Sequence, residues 1–315
     1  MTSVFRHPRS TLPAVALLAV VLTAGCGHGT PGGTSAPAAT ATTAVTAAAV
    51  TTTARPTDAA FKELEQHFGA RLGVYAVDTG NGREVAYRAD ERFAFASTIK
   101  SLSAGALLRK STDEELDKVV TYRQEDVLKW APITSQHVAT GMKVRDLAAA
   151  AIEYSDNTAA NLVMAELGGP EAVQQTLRDL GDPTTNVNRT EPTLNEATPG
   201  DPRDTSTPRV FAADLRRYVL GDVLTEDRRR LLTDWLIGNT TGAPFIRAGV
   251  PADWKIGDKT GNAGYGTRND VAVAWPAGGR SPVVIVVLSD RGKPDATSDD
   301  ALIAEATKAV VTALG

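Results

Sequence analysis

Strand-like segments stand near both ends of the foldable part of this chain, with a long helical stretch between them. RLGVYAVDT from Arg71 and EVAYRAD from Glu84 alternate or run apolar in the manner of strands, and the GNGR between them is hairpin chemistry, because Asn-Gly tolerates positive φ. NDVAVAWPAG and SPVVIVVLSD, from Asn269 and Ser281, return as strands, and SDDALIAEATKAVVTAL closes as a helix. A short helix is expected over DAAFKELEQHFG, from Asp58. From Ser97 to about Leu236 the pattern is mostly helical, as in KVRDLAAAAIEYS, TAANLVMAELGG and FAADLRRYVLGDVL. Terminal segments of this kind bury their apolar faces by sharing one antiparallel sheet. The expected class is α/β in content and α+β in arrangement: an antiparallel sheet flanked by helices (58–96 and 237–315) plus an all-helical lobe (97–236), with a site in the cleft between lobes. One polar span, NVNRTEPTLNEATPGDPRDTSTP from Asn186, has neither period, and unstructured spans of that length in compact domains are usually functional.

The N-terminus reads differently. Arg6 and Arg9 precede LPAVALLAVVLTAG, too short to span a membrane but suited to the core of a secretory signal, so export is expected. The single cysteine, Cys26, ends that stretch and cannot form an internal disulfide. Its place resembles a bacterial lipobox, which implies lipidation at Cys26; Thr23 departs from the usual aliphatic residue, so simple cleavage nearby stays open. Residues 27–57 form a Gly, Ala, Thr and Pro tract with almost no charge, too poor in large apolar side chains to fold, and are expected to act as a flexible tether to a domain over 58–315. The formal net charge of -4 carries no basic excess that would suggest nucleic acid.

The chemistry begins with FASTIK. Ser97 and Lys100 are three residues apart, hence on one face of a helix, and a lysine drawn into an apolar run loses proton affinity and can serve as base to a hydroxyl. A pair of such common residues decides little alone, and a helix N-cap would also explain the serine. Three further signals follow in order: Ser155-Asp156-Asn157, the run EPTLN from Glu191 to Asn195, and Lys259-Thr260-Gly261.

In these motifs the sequence resembles the class A serine β-lactamases over nearly all of the foldable part. Ser-x-x-Lys, Ser-Asp-Asn and Lys-Thr-Gly are shared by those enzymes and penicillin-binding proteins. YSDNTAANL and EPTLNEATPGDPRDTSTP extend the match, and the glutamate loop separates it from penicillin-binding peptidases. The resemblance implies a five-stranded antiparallel sheet with a helical lobe, a monomer, β-lactam substrates, no cofactor, and no contact with nucleic acid or with membrane beyond a lipid at Cys26. It implies Ser97 as nucleophile, Lys100 as its activator, Ser155 as proton relay to the departing nitrogen, and Asn157 as partner of both Lys100 and the substrate amide. Whether Lys100 or Glu191 acting through a water is the acylation base stays open. Glu191 and Asn195 would hold the deacylating water on an Ω-loop, with a cis Glu191-Pro192 bond and with Arg189 and Asp204 bridging the loop ends. Lys259, Thr260 and Gly261 would line the opposite wall and bind the substrate carboxylate, aided by Arg268. The backbone N–H groups of Ser97 and Asn262 would form the oxyanion hole, and Trp130 would wall the cleft.

Plainer roles compete for some residues. Asp156 is expected to bond loop backbone and Arg247 to be structural; Ser155 and Asn157 could cap a helix, and Trp130 could be core. After Lys-Thr-Gly this chain has Asn262 and Ala263 where the family usually has a small or hydroxyl residue and then glycine, which leaves substrate preference open. A zinc hydrolase is disfavoured by inventory: His7, His28, His67 and His137 form no ligand motif. The rival functions are a penicillin-binding peptidase and a non-hydrolysing β-lactam sensor.

Overall fold

The run VVIVVL has no polar residue because both sides of the strand it forms are covered. In a computed structural model that describes residues 56–315, the chain ends share one five-stranded sheet. Its strands are β1 (Arg71–Asp78), β2 (Glu84–Tyr87), β3 (Lys255–Ala263), β4 (Thr267–Trp275) and β5 (Val283–Asp290), in the spatial order β2-β1-β5-β4-β3. All pairings are antiparallel, and β5 closes on β1 with Arg71 opposite Asp290 and Val77 opposite Val284. Successive side chains of a strand point to opposite faces. Leu72, Val74, Ile285 and Val287 accordingly enter one core cluster, while Tyr75, Val77, Val284 and Val286 enter another.

The helices are α1 (Pro56–Phe68), α2 (Ile99–Lys110), α3 (Asp113–Asp117), α4 (Val144–Glu153), α5 (Asn157–Leu167), α6 (Pro170–Asp179), α7 (Pro208–Val219), α8 (Glu226–Ile237), α9 (Ile246–Gly249) and α10 (Ala301–Leu314). Helix α1 begins at Pro56, ahead of the Asp58 expected, since proline suits a first turn. Phe61 of α1 and Leu302, Ala306 and Val310 of α10 cover one face of the sheet. Phe211, Leu215 and Tyr218 of α7 join the cluster on the other face, with α2 in its interior. From Ile99 to Leu108 every residue of α2 is buried, Lys100 included. Each fully buried Val, Leu or Ile of these clusters contributes about 1.5–3 kcal/mol. Among the described residues no helix is long and apolar enough to cross a membrane.

The unpatterned span from Asn186 is pinned at its two ends. Asn186 bridges Thr205 with an N–H···O distance of 2.9 Å, and Thr205–Ser206 pairs with Phe93–Ala94. The loop therefore leaves and rejoins the body at one place, as an Ω-loop does.

Strand β3 comes unusually close to the turn before α2. A Cβ on Gly261 would lie 3.0 Å from Phe95 O, 3.1 Å from Thr98 Cγ2 and 3.2 Å from Ala96 Cβ. Gly261→Ala should therefore destabilise the fold by about 1–3 kcal/mol through overpacking. Thermal unfolding reads this directly, and an unchanged melting temperature would contradict the close approach.

Candidate active site

Ser97 sits in a single 3-10 turn, Ala96–Thr98, that runs directly into α2. Local bonds fix the turn: Thr98 Oγ1 donates to Phe95 O at 2.6 Å, and Asn269 Nδ2 on β4 donates to Ala94 O at 2.8 Å. Ala96 has a φ of 50° and Ser155 a φ of 56°, conformations that cost a non-glycine residue about 1–3 kcal/mol and cluster at functional sites. No side-chain cap bond is made at this helix start, so the N-cap explanation of Ser97 does not hold.

Around Ser97 the distant motifs converge. The Ser97 hydroxyl donates to Glu191 Oε1 at 3.1 Å. Lys100 Nζ lies 3.0 Å from the same oxygen, and it also donates to Asn157 Oδ1 at 2.5 Å and to Ser155 O at 2.9 Å. The expected pairing of Lys100 with Ser97 is thus replaced: carboxylate and amide acceptors outcompete a hydroxyl for a buried ammonium. Asn195 Nδ2 donates to Glu191 Oε2, while Asn195 Oδ1 is buried without a partner among the described residues. Lys259 Nζ reaches Ser155 Oγ at 3.1 Å from the other wall, so Ser155 stands between two lysines.

Burial governs the electrostatics. Lys100 is 1% exposed, and desolvation lowers its proton affinity while the charges of Glu191 and Asp156 pull it back up. Lys259 is pushed down to about 7, first by burial and then by the charge of Lys100, against the carboxylates of Asp258, Asp270 and Glu191. Asp258 and Asp270 are themselves raised, chiefly by burial.

The supporting residues sort cleanly. Asp156 is the N-cap of α5, accepting from Ala159 N at 2.9 Å, and it also accepts from the N–H groups of Ile133 and Thr134. The cap role therefore falls to Asp156, not to Ser155 or Asn157, and frees those two for the cleft. Arg189 Nε meets Asp204 Oδ2 at 2.5 Å, and Asp204 Oδ1 accepts the N–H groups of Asn188 and Arg189, so one carboxylate ties both ends of the Ω-loop. The Glu191-Pro192 bond is cis. Arg247 bonds Asp258 and the carbonyl of Ile237.

The cleft itself encloses 390 Å3 and is lined by Ser97, Trp130, Ser155, Asn157, Asn195, Thr241, Phe245, Thr260, Asn262 and Arg268. Trp130 is 58% exposed, with Nε1 on Tyr154 O, so it is a wall of the cleft and not core. Arg268 lines the cleft with its Nε held by Asp300 Oδ1 at 2.5 Å. Lys100, Glu191, Lys259 and Gly261 are buried just behind this lining. A shallower recess of 660 Å3 shares Arg268 with the cleft but has no serine-lysine pair. Cys26 lies outside the described residues.

Several functional contacts had no sequence signal strong enough to be singled out. Asn161 clamps the Glu191 peptide from both sides, its Oδ1 accepting from Glu191 N and its Nδ2 donating to Glu191 O, each at 2.9 Å. An asparagine within a helix, where its propensity is poor, was the available hint. Asn269 is the equivalent polar residue inside an apolar strand. Thr241 Oγ1 lies 2.6 Å from Thr260 Oγ1, 19 residues away in sequence, with no motif to mark it.

A serine hydroxyl bonded to a buried carboxylate, beside a lysine and under a polar cleft, is equipped for acyl transfer. The profile of the "Beta-lactamase enzyme family" matches residues 56–314. A beta-lactamase of Amycolatopsis lactamdurans is 55% identical over 266 residues, covering 83% of this chain and 88% of that protein. Beta-lactamase AST-1 of Nocardia asteroides is 52% identical over 304 residues, 96% of this chain and 94% of its own length. The beta-lactamase from Streptomyces albus G superimposes with a TM-score of 0.81 at 48% identity, covering 83% of this chain and 100% of that one. A class A beta-lactamase from Clostridium kluyveri does so at 0.80 and 48%, covering 82% and 98%. The convergence of these residues in one cleft and the likeness along the whole domain have one conclusion: the chain belongs to the beta-lactamase enzyme family, as a class A serine β-lactamase.

Proposed function

We propose that Ser97 attacks the β-lactam carbonyl after giving its proton to Glu191, and that the acyl-enzyme so formed is hydrolysed by a water that Glu191 and Asn195 hold. The observation that carries this reading is the Ser97 hydroxyl on Glu191 Oε1, with Lys100 Nζ on the same oxygen. Lys100 lowers the cost of the buried carboxylate and orients it, so its part in activating Ser97 is exerted through Glu191. The backbone N–H groups of Ser97 and Asn262 receive the developing oxyanion, a contribution typically worth about 100-fold or more in rate. Ser155, between Lys100 and Lys259, passes a proton to the β-lactam nitrogen as the C–N bond breaks. The proton that Glu191 took from Ser97 passes through Lys100 to refill Ser155, which restores the carboxylate. For deacylation, Asn195 Oδ1 offers the free acceptor that a water needs, Glu191 takes the water's proton, and that proton goes to Ser97 Oγ as the ester C–O bond breaks.

Recognition falls to the rest of the cleft. Lys259, Thr260 and Arg268 bind the substrate carboxylate, Asn157 its side-chain amide, and Gly261 admits the close approach of β3; Trp130 bounds the cleft. Arg189 and Asp204 hold the Ω-loop in register. We further propose export, with a lipid on Cys26 anchoring a monomer outside the cytoplasmic membrane; the support is the basic start, the apolar stretch and the position of that cysteine.

Ser97→Ala should abolish covalent labelling by a penicillin, and labelling at the wild-type rate would remove Ser97 as nucleophile. Glu191→Ala removes the base of both steps, but Lys100, its proton affinity no longer held up by that carboxylate, can still take the Ser97 proton. Deacylation should therefore slow the more, by about 100- to 10,000-fold, and trap an acyl-enzyme visible by intact mass, whereas unchanged turnover would take Glu191 out of the mechanism. Lys259 binds a carboxylate only as an ammonium, and its proton is lost as pH rises through about 7. KM for a penicillin should therefore rise with pH, and Lys259→Arg, which keeps its charge, should flatten that rise. A KM independent of pH in the wild type would contradict the assignment. Cys26→Ser should release the protein into the medium and end fatty-acid labelling; continued labelling would place the lipid elsewhere.

A further inference from the structure

Under the base of the Ω-loop two aspartates are buried side by side. Asp214, on α7, is 1% exposed, and Asp182, just past α6, is 2% exposed. Asp182 Oδ1 accepts the N–H groups of Thr184 at 2.6 Å and Thr185 at 3.0 Å. Its Oδ2 and both oxygens of Asp214 have no donor among the described residues, and Asp182 bears on the Asp214 carboxyl through both its charge and side-chain hydrogen bonding.

The neighbouring cations do not supply the missing donors. Arg217 Nη1 is 3.6 Å from Asp214 Oδ1 and is bonded to Leu180 O. Arg178 Nη1 is 3.9 Å from Asp182 Oδ1 and donates to Asp182 O at 2.7 Å. Tyr218, on the same helix as Asp214, has a buried hydroxyl without a partner among the described residues; burial and the charge of Asp214 make it harder to ionise, against the charge of Arg109 on α2. Burial, then the charge and hydrogen bond of Asp182, push the Asp214 carboxyl up to about 8 against Arg217 and Arg178. Two adjacent buried carboxylates cannot both ionise cheaply, whereas one shared proton satisfies an oxygen of each.

We propose that Asp214 is a positioning residue for the catalytic loop, its carboxyl sharing one proton with Asp182 and donating it to Asp182 Oδ2. Asp182 then fixes the turn through Thr184 and Thr185. Thr185 Oγ1 lies 2.7 Å from Ser206 Oγ, and Asn186 N is 2.9 Å from Thr205 O, so the turn locks both ends of the loop together. From there Asp204 holds Asn188 and Arg189, close before Glu191. The effect on turnover rests on the reading of Glu191 given above; the carboxyl pair does not.

The direction of the pH dependence follows from linkage. The carboxyl of Asp214 is raised in the fold above its unfolded value of about 3.9, so its contribution is complete below about pH 4 and is lost as pH rises to about 8. As pH rises past about 8 Asp214 loses its proton even in the folded protein, and the donor that satisfied Asp182 is gone from the turn.

Hydrogen exchange at the Thr184 and Thr185 amides reads the pair without any substrate. In the wild type, protection should fall by up to about tenfold per pH unit between about pH 5 and about pH 8, then level. Asp214→Asn keeps a donor toward Asp182 and removes the titration, so its protection should stay flat, and its deacylation rate should decline less than the wild type's above about pH 8. Wild-type protection independent of pH would overturn the proposal even if the variant did not fold. A variant whose exchange profile follows the wild type's would overturn it as well. Equal alkaline decline in deacylation, with the exchange difference present, would refute the positioning role. Failure of Glu191→Ala to accumulate acyl-enzyme would instead strike the reading of Glu191 and leave the pair intact.

Discussion

The structure depends on an ion pair that has almost no contact with solvent. The side chains of Lys100 and Glu191 are 1% and 0% exposed, and their charged atoms are 3.0 Å apart. Taking two charges out of water costs several kcal/mol per ion, and only good geometry with every remaining donor and acceptor engaged offsets it. That condition is met here by Asn157 and the Ser155 carbonyl on Lys100, and by Ser97 and Asn195 on Glu191. The side chains to which the proposed mechanism gives roles are therefore the ones that make the buried pair tolerable. Removing one member leaves an uncompensated charge, with a typical cost of about 3–5 kcal/mol, so stability and catalysis are coupled at this position.

Holding a glutamate from an irregular loop against a lysine from a central helix demands support from outside the site. Asn161 clamps the Glu191 peptide to α5, and Asp204 gathers the loop ends. Strand β3 can bring Asn262 up to the Ser97 turn because position 261 has no side chain. Each of these contacts sets where a reacting atom lies without touching substrate, and such positioning is where much of the catalytic advantage of a folded site originates.

Much of this was legible in the sequence. Alternating or continuous apolar runs and the Asn-Gly turn located β1, β2, β4 and β5, and the order of strands and helices implied one sheet shared by the two ends of the foldable part. Short motifs singled out the residues that the fold gathers at the cleft. The partnerships were less legible, because they arise between segments far apart in sequence. Nothing near Ser97 indicates that its hydroxyl bonds Glu191 in preference to Lys100, and nothing near Asp214 indicates that Asp182 lies beside it. Likewise Asp156, flanked by two residues equally able to cap, turned out to be the helix cap, a role set by its own extended backbone and by its carboxylate on Ala159 N. Motifs name the participants; packing decides their partners.

The most direct test of the account is to follow a chromogenic cephalosporin to completion with the purified wild-type domain and then weigh the protein intact. Repeated turnover and an unmodified mass are expected if Glu191 and Asn195 clear the acyl group from Ser97 as proposed. A stoichiometric adduct with little turnover would contradict it, since the same cleft would then capture β-lactams without hydrolysing them.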